Sequence, residues 1–275
     1  MDSIIKIRLA AILLVIAVFL LTPANLSTAG QDLHAQSAAA LLDREFTDPG
    51  LSYLLLDGEG QIVAQRWDGP EGEIPVGSLM KPFLAVAYAR THQSFPVFHC
   101  TGKNTCWLPR GHGTLRIREA IAFSCNSYFD QLVAQGGSTF RSTLESLRLR
   151  PSDAGEPSLT TASPLALARA YLELTRRSQE PAVRLVVQGM ALSAQRGTAK
   201  GVSAELAAAP VLAKTGTAPC THRKKAPGDG LALLMTPADH PRSVLLVRVH
   251  GRPGFTAAGL AGRMMARVEN TGAQR

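Results

Sequence analysis

The sequence predicts a mixed α/β fold, in which an antiparallel sheet of five strands is flanked by helices and carries a helical insertion. Three observations predict it. Two apolar, strand-like runs separated by a turn occupy 51–57 and 61–67. A stretch of about 100 residues with mainly helical spacing follows them. Three more strand-like runs and a helix close the chain, and strands this close in sequence pair antiparallel.

Composition bounds the class of protein. The chain has 275 residues, of which 45% are hydrophobic and 18% charged, enough for one large domain or two small ones and unlike a disordered chain. The net charge of +8 favours an anionic partner such as nucleic acid, phospholipid or cell-wall polymer. Apart from "HRKK" at 222–225 the basic residues are scattered, and no nucleic-acid motif is present, so we discount nucleic acid.

Residues 1–30 predict a secretory signal or an N-terminal membrane anchor. Lys6 and Arg8 precede an unbroken apolar run from Leu9 to Leu21. Counted from Ile4, the run approaches the roughly 20 residues that span a bilayer. Cleavage and retention both remain open. Either way, residues 31–275 are expected to be exported, to the periplasm or the outer face of the cytoplasmic membrane.

The first part of the exported chain reads as a helix, a hairpin and a second helix. Apolar spacing predicts a helix over 32–46, and "GEG" turns the first strand into the second. A glycine- and proline-rich loop leads to "GSLMKPF" at 77–83. Pro82 is tolerated in a first helical turn but not in an interior, so this helix must begin close to Ser78.

The insertion is predicted to be helical over about 91–204. Residues 115–135 form either one long helix or two helices broken near Ser124. Ser163 as N-cap and Pro164 at the first helical position mark another helix start, and 180–192 forms the next helix.

The sheet resumes after the insertion, so that its parts occupy about 31–90 and 205–275. The predicted elements here are strands over 209–218, 230–237 and 242–251, followed by a helix over 257–270.

Export changes how the four cysteines of the chain are interpreted. Cys100 and Cys106 flank a short polar loop, where an oxidising compartment would allow a disulfide. A metal site that adds His99 or His112 is the sharper alternative, but the spacing fits no standard zinc set, so the disulfide is preferred. Cys125 reads as a small buried hydrophobe, and Cys220 has no evident role.

Three short segments carry chemistry: "SLMK" at 78–81, "SCN" at 124–126 and "KTGTA" at 214–218. Each is weak alone, since S-x-x-K, S-x-N and K-T-G all occur by chance. Together, in this order, the sequence resembles the transpeptidase domain of penicillin-binding proteins, among the active-site serine penicillin-recognising enzymes. The resemblance runs from about Leu51 to the C-terminus and includes "GHGTLRIREAIAFSCNSYF", "TASPLALARAYLEL" and "GMALSAQRGTA".

The resemblance implies a β-lactamase/transpeptidase-like fold and a role for each motif residue. Ser78 would be the acylated nucleophile and Lys81 its base, kept partly neutral because burial and the charge of Lys214 lower its pKa. Ser124 would bridge the two lysines and pass a proton to the leaving amine. The backbone N–H groups of Ser78 and Thr217 would form the oxyanion hole.

The same resemblance implies how substrate is held. Asn126 would bind the substrate amide, and Lys214, Thr215 and Thr217 the terminal carboxylate of a D-Ala-D-Ala stem peptide or of an inhibiting β-lactam. Gly216 would keep the strand slim enough for substrate to lie against its edge. No metal ion or organic cofactor is required.

Several functions remain open. No glycosyltransferase or other domain separates 1–30 from the first strand, so trimming as a D,D-carboxypeptidase, or transpeptidation within a complex with an envelope protein, fits as well as crosslinking alone. A serine β-lactamase would need a deacylating base, for which Glu156 in "EPSLT" is the candidate, although the stretch ends in Thr160 and the following loop is short. A non-catalytic envelope sensor or scaffold is the third reading. Its basic segment 219–230 would lie near the cleft rim.

Overall fold

The computed structural model describes residues 35–103, 106–136, 139–147, 149–150, 160–206, 210–220 and 227–272. The predicted signal or anchor at 1–30, the "HRKK" run and Glu156 lie outside these residues. Among the described residues, no helix combines the length and the apolar character needed to cross a bilayer.

The strands fall into one main sheet and two small ones. In chain order they are β1 Leu51–Asp57, β2 Ile62–Arg66, β3 Ile74–Pro75, β4 Phe98–Cys100, β5 Gly113–Leu115, β6 Thr161–Ala162, β7 Leu212–Ala218, β8 Asp229–Thr236 and β9 Ser243–His250. The main sheet has five strands in the order β2-β1-β9-β8-β7, and every neighbouring pair is antiparallel. The five-stranded antiparallel sheet predicted from the sequence is confirmed.

The helices precede, interrupt and follow this sheet. They are α1 over 35–45, α2 Lys81–Ala89, α3 Ile117–Ala122, α4 Asn126–Gly136, α5 Thr139–Ser146, α6 Pro164–Arg176, α7 Pro181–Arg196, α8 Lys200–Ser203 and α9 Gly254–Gly272. A 3₁₀ turn, Gly77–Met80, leads directly into α2.

Alternation along the buried strands builds a core on each face of the sheet. In β8, Leu231 and Leu233 join the cluster that packs against the insertion, whereas Ala232 and Leu234 join the cluster formed with α1 and α9. Successive side chains of a strand point to opposite faces, so an uninterrupted apolar run indicates a strand covered on both sides.

In the part of the insertion that the structure describes, the helices are accompanied by three short strands. β4 pairs with β5 as a small hairpin, and β6 pairs with β3 from the first part of the chain. The sequence predicted neither small sheet, since strands of two or three residues are too short for an alternating pattern to be recognised.

The predicted helix starts agree with the structure. The Ser163 hydroxyl accepts a hydrogen bond from the Ala166 amide at 3.0 Å, as an N-cap does. Pro82 lies in the first turn of α2, which therefore begins just after Ser78. The segment 115–135 is two helices, α3 and α4, with Ser124 in the break between them.

Candidate active site

Ser78 lies in the 3₁₀ turn at the start of α2 and lines a cleft with a volume of about 1490 Å³. Residues i and i+3 of such a turn lie one above the other, so Lys81 is on the same side, one turn deeper and almost fully buried. The Tyr171 hydroxyl of α6 donates a hydrogen bond to the carbonyl of Leu79 at 2.5 Å. The turn that carries Ser78 is thus fixed from the insertion as well as from its own helix.

Ser124 occupies the break between α3 and α4 with a φ of +51°, a conformation that few residues other than glycine adopt. The break is closed by the Cys125 amide, which donates to the Ala120 carbonyl at 3.1 Å. A strained residue at a turn is retained where the surrounding structure holds it and where the strain serves a site. Here it brings Ser124 between two lysines.

The hydroxyl of Ser124 bridges Lys81 and Lys214. Its Oγ accepts from Lys214 Nζ at 2.9 Å and lies 3.3 Å from Lys81 Nζ. Lys81 Nζ also donates to the Ser124 carbonyl at 2.7 Å and to Asn126 Oδ1 at 2.6 Å. Residues from all three sequence motifs therefore meet in one hydrogen-bond network: Lys81 from the first, Ser124 and Asn126 from the second, and Lys214 from the third.

Burial shifts both lysines towards the neutral form. It lowers the pKa of Lys81 to about 8, against weaker opposing effects from nearby acidic groups. Burial, and then repulsion from Lys81, hold the pKa of Lys214 well below its ordinary value. Lys81 Nζ has three acceptors around it, the Ser124 carbonyl, the Ser124 hydroxyl and Asn126 Oδ1. We expected burial and the charge of Lys214 to lower the pKa of Lys81, and burial is the cause that lowers it.

The strand β7 forms the opposite wall of the cleft, where Thr215, Gly216 and Thr217 line it. The Thr215 hydroxyl donates to Thr198 Oγ1 at 2.6 Å, and Thr217 Oγ1 accepts from the Gly254 amide at 3.1 Å. Both hydroxyls are thus oriented by the protein.

Gly216 and Gly77 allow this strand to approach the turn that carries Ser78. A Cβ on Gly216 would lie 3.1 Å from the Val76 carbonyl oxygen. Gly77 has a φ of +51°, and a Cβ there would lie 2.4 Å from the Thr217 carbonyl oxygen. Gly216 therefore serves the packing of strand on turn, and the substrate clearance expected of it stays a prediction. The close approach makes the Ser78 and Thr217 backbones neighbours.

The charged side chains that line the cleft, among the described residues, are cations: Arg110, Arg196 and Lys200. Two exposed aromatic side chains, Trp107 and Phe255, also line it. Trp107 is held in place because its Nε1 donates to the Phe123 carbonyl at 3.1 Å. The cleft suits an anionic ligand with some apolar surface.

Thr198 is a site residue that the motifs did not identify. It follows α7 in the "GTA" segment, contacts Thr215 and lines the cleft. Its position in a family-like segment was the signal available in the sequence. The arginines that line the cleft could not be identified from the sequence, because isolated arginines form no recognisable motif.

The expected Cys100–Cys106 disulfide is not formed. All four cysteines are free thiols. Cys100 and Cys106 both turn towards His112, whose Nδ1 is 3.7 Å from the first sulfur and 3.2 Å from the second. Burial opposes ionisation of Cys100, but hydrogen bonds from His112 and from backbone N–H groups bring its pKa to about 6.

No family model and no curated protein matches the sequence. Solved structures do match. The transpeptidase domain of the FtsI4 D,D-transpeptidase from Legionella pneumophila is similar with a TM-score of 0.65 at 17% identity, covering 87% of this chain and 96% of that one. The transpeptidase domain of penicillin-binding protein 3 from Burkholderia pseudomallei gives 0.68 at 15% identity, over 90% and 94%.

A third similar structure is PBP2 from Helicobacter pylori, solved in complex with MreC. Its TM-score is 0.74 at 14% identity, and the match covers 86% of this chain and 63% of that one. At such identities the likeness establishes the fold and leaves activity to be tested. The antiparallel sheet, the inserted helices and these neighbours together show that the chain has the penicillin-binding transpeptidase fold.

Proposed function

We propose that this chain is a penicillin-binding serine acyltransferase, a D,D-transpeptidase or D,D-carboxypeptidase that acts on the D-Ala-D-Ala ends of peptidoglycan stem peptides. One observation carries the proposal: Ser124 Oγ links Lys81 and Lys214 beneath the cleft that Ser78 lines. Two buried lysines joined by a hydroxyl have little structural value, because each costs free energy to desolvate. They do supply a path for protons next to a serine.

In the proposed acylation, the Ser78 hydroxyl gives its proton to neutral Lys81 as its oxygen attacks the substrate carbonyl carbon. Lys81 is available in the fraction of molecules in which its lowered pKa, about 8, leaves it neutral, and the Ser124 hydroxyl links it to Lys214. The same hydroxyl then returns a proton to the leaving D-Ala amine, so that no net proton is consumed. The backbone N–H groups of Ser78 and Thr217 would stabilise the oxyanion, and one such donor is worth about 3–4 kcal/mol.

The charge of the cleft supports a substrate that ends in a carboxylate. The cations Arg110, Arg196 and Lys200 line it, and Thr215 and Thr217 supply hydroxyls on the strand wall. A D-Ala-D-Ala end and a β-lactam both carry a carboxylate close to the carbonyl that is attacked, so β-lactams are proposed inhibitors.

A second candidate, a penicillin-binding sensor or scaffold, has its own supporting observation. Among the described residues, no hydrogen bond joins the Ser78 hydroxyl to Lys81, whose ammonium is occupied by Ser124 and Asn126. Acylation therefore requires Lys81 to release at least one acceptor, although catalytic contacts often tighten only when substrate binds. A sensor would need an envelope partner, and the similar H. pylori protein was solved with MreC.

The proposed site of action is outside the cytoplasmic membrane, in the periplasm or on the outer membrane face, with residues 1–30 as cleaved signal or retained anchor. Peptidoglycan peptides are found there, and a basic chain is attracted to anionic wall polymer.

Two time courses on the purified chain separate the candidates: release of D-Ala from a D-Ala-D-Ala pentapeptide, and the lifetime of the adduct with a fluorescent penicillin. The proposal expects D-Ala release and an adduct stable for minutes, both abolished in Ser78→Ala and kept in Ser94→Ala, an exposed serine far from the cleft. Loss of the adduct within seconds supports a β-lactamase. A stable adduct without D-Ala release supports the sensor, and absence of an adduct contradicts every penicillin-binding reading.

A further inference from the structure

Four soft ligand groups converge beside the candidate site, in the space between the β4–β5 hairpin and the start of α4. They are the thiols of Cys100, Cys106 and Cys125 and the imidazole of His112, and their ligand atoms all lie within 4.8 Å of one another. We propose that these four side chains bind one zinc ion as a closed structural site.

The distances fit a tetrahedral zinc ion. Zn–S bonds of about 2.3 Å and Zn–N bonds of about 2.0–2.1 Å place two ligand sulfurs about 3.8 Å apart, and a sulfur and a nitrogen about 3.6 Å apart. The distances from His112 Nδ1 to the sulfurs of Cys100 and Cys106 are 3.7 and 3.2 Å. Nδ1 is therefore the ligand nitrogen, and only small shifts are needed to bring four atoms onto one ion.

The donor set identifies the metal. Three thiolates and one imidazole are a soft set that selects zinc over magnesium or calcium, which prefer oxygen ligands. With four protein ligands no position is left for water, as in structural sites. The burial agrees, since Cys100 and Cys125 are at most 1% exposed.

Two of the three sulfurs accept hydrogen bonds from backbone N–H groups, although burial raises the pKa of the Cys125 thiol. Backbone N–H groups of Gly102 and His112 donate to the Cys100 sulfur, and that of Tyr128 to the Cys125 sulfur. The other nitrogen of the ring, His112 Nε2, is buried without a hydrogen-bond partner among the described residues. Among the described residues, thiols are thus the only polar partners of this imidazole. A metal ion is a better partner for its Nδ1 lone pair than a neutral thiol is.

The loop that carries three of the ligands is closed by two glycines. Gly102 and Gly111 both have positive φ, and a Cβ on Gly111 would lie 2.2 Å from the Cys100 carbonyl oxygen. This tight base returns the chain from Cys100 to His112, so that both face the same side.

The fourth ligand connects the metal to the catalytic candidates. Cys125 lies between Ser124 and Asn126, so a metal bound by Cys125 ties the β4–β5 hairpin to the turn that both lysines contact. The ion would hold Ser124 in its strained conformation without touching substrate, which makes the cysteine a positioning residue.

Binding is balanced by release of protons. The three thiols lose their protons to solvent as Zn²⁺ binds, and His112 binds as the neutral imidazole. The centre then carries one net negative charge, and no oxidant or reductant is involved.

The metal itself is the probe. The full chain, purified without chelator, is expected to contain about one zinc per chain by elemental analysis. After exchange, Co²⁺ should give thiolate-to-cobalt charge-transfer absorption and strong visible bands of a tetrahedral centre. Removal of zinc should lower Tm by about 5 °C or more, reversibly. A mass lower by two hydrogens, with Cys100 joined to Cys106 and no metal, would overturn the proposal.

Matched cysteine variants test the assignment. Cys106→Ser and His112→Gln, at half-buried positions, should each lose the zinc and the cobalt spectrum while remaining folded by circular dichroism. Cys220→Ser is the control, because Cys220 belongs to a separate group with Asp229 and His250. It should keep one zinc. If Cys220→Ser loses the metal, or Cys106→Ser and His112→Gln both keep it, the site is wrongly assigned.

The positioning role has its own readout, which depends on the proposed function whereas metal content does not. Removal of zinc should slow acylation by penicillin, and restoration of zinc should recover the rate. If the chain binds zinc but its removal leaves the acylation rate unchanged, the positioning role alone is refuted. Zinc bound with no acylation in any form would refute the proposed function and leave the metal site standing.

Discussion

At the residue scale, Ser124 is the position where backbone strain and chemistry coincide. Its φ of +51° is unfavourable for a serine, and its hydroxyl lies between the Nζ atoms of Lys81 and Lys214. A residue that is costly for the backbone and central to the proposed proton path is best explained by function.

We predict that Ser124→Ala and Ser124→Gly lower the rate of acylation equally, by about 100-fold or more, because both remove the relay hydroxyl. They should differ in stability. Glycine adopts positive φ without strain, so Ser124→Gly should be more stable than Ser124→Ala by about 1 kcal/mol in urea unfolding. Equal stabilities would show that the turn is not strained, and an unchanged acylation rate would remove Ser124 from the proton path.

A second prediction concerns pH. Burial lowers the pKa of Lys81 to about 8, and its neutral form is the proposed base. Below that pKa the neutral fraction falls about tenfold per pH unit, so the acylation rate should rise between about pH 6 and pH 8 and level off above. Since the lysines are linked through Ser124, the profile reports the pair. A rate that is constant over this range would contradict Lys81 as the base.

At the scale of elements, the cleft depends on how closely β7 approaches the turn before α2. Gly77 has positive φ and faces the Thr217 carbonyl, whereas Gly69 has positive φ and no atom within 4 Å of its missing Cβ. The two glycines therefore form a matched pair: both have positive φ, but only Gly77 is closely packed.

We predict that Gly77→Ala destabilises the chain by at least about 1 kcal/mol more than Gly69→Ala, because only the first forces β7 away from the turn. Acylation should fall in Gly77→Ala and stay at the wild-type rate in Gly69→Ala. Unfolding in urea and penicillin labelling of both variants measure this. Similar effects in the two variants would mean that the contact does not shape the site.

How much of these elements could be predicted depends on their length. The predicted bounds of β1, 51–57, agree with the structure because a long apolar run admits few alternatives. The β4–β5 hairpin was not predicted, since each of its strands has three residues. Missing the hairpin also hid the convergence of Cys125 with Cys100, because the sequence alone places these residues far apart.

At the scale of the whole molecule, motif order predicted the fold, whereas the electrostatics required coordinates. Three short motifs meet only because the insertion folds back over the sheet, and the family-like segments between them indicated this. Which lysine has the more strongly lowered pKa could not be predicted from the sequence. The shift depends on how completely the fold buries each side chain, and Lys214 is fully buried.

The positive charge of the chain and of its cleft leads to a prediction about salt. With a net charge of +8 and a cleft lined by Arg110, Arg196 and Lys200, the second-order acylation rate for an anionic penicillin should fall several-fold between about 0.05 and 0.5 M NaCl. Arg110→Gln should reduce the salt dependence, and Arg44→Gln, far from the cleft, should not. A rate that does not respond to salt would show that the cleft charges do not attract the ligand.

The most direct test of the central claim, that Ser78 is the acylated nucleophile, is intact-mass spectrometry after incubation with benzylpenicillin, followed by peptide mapping. The account predicts one adduct per chain, a mass gain equal to the whole penicillin because the β-lactam ring opens without loss of atoms, and the modification on Ser78. An unmodified chain, or an adduct on any other residue, would contradict it.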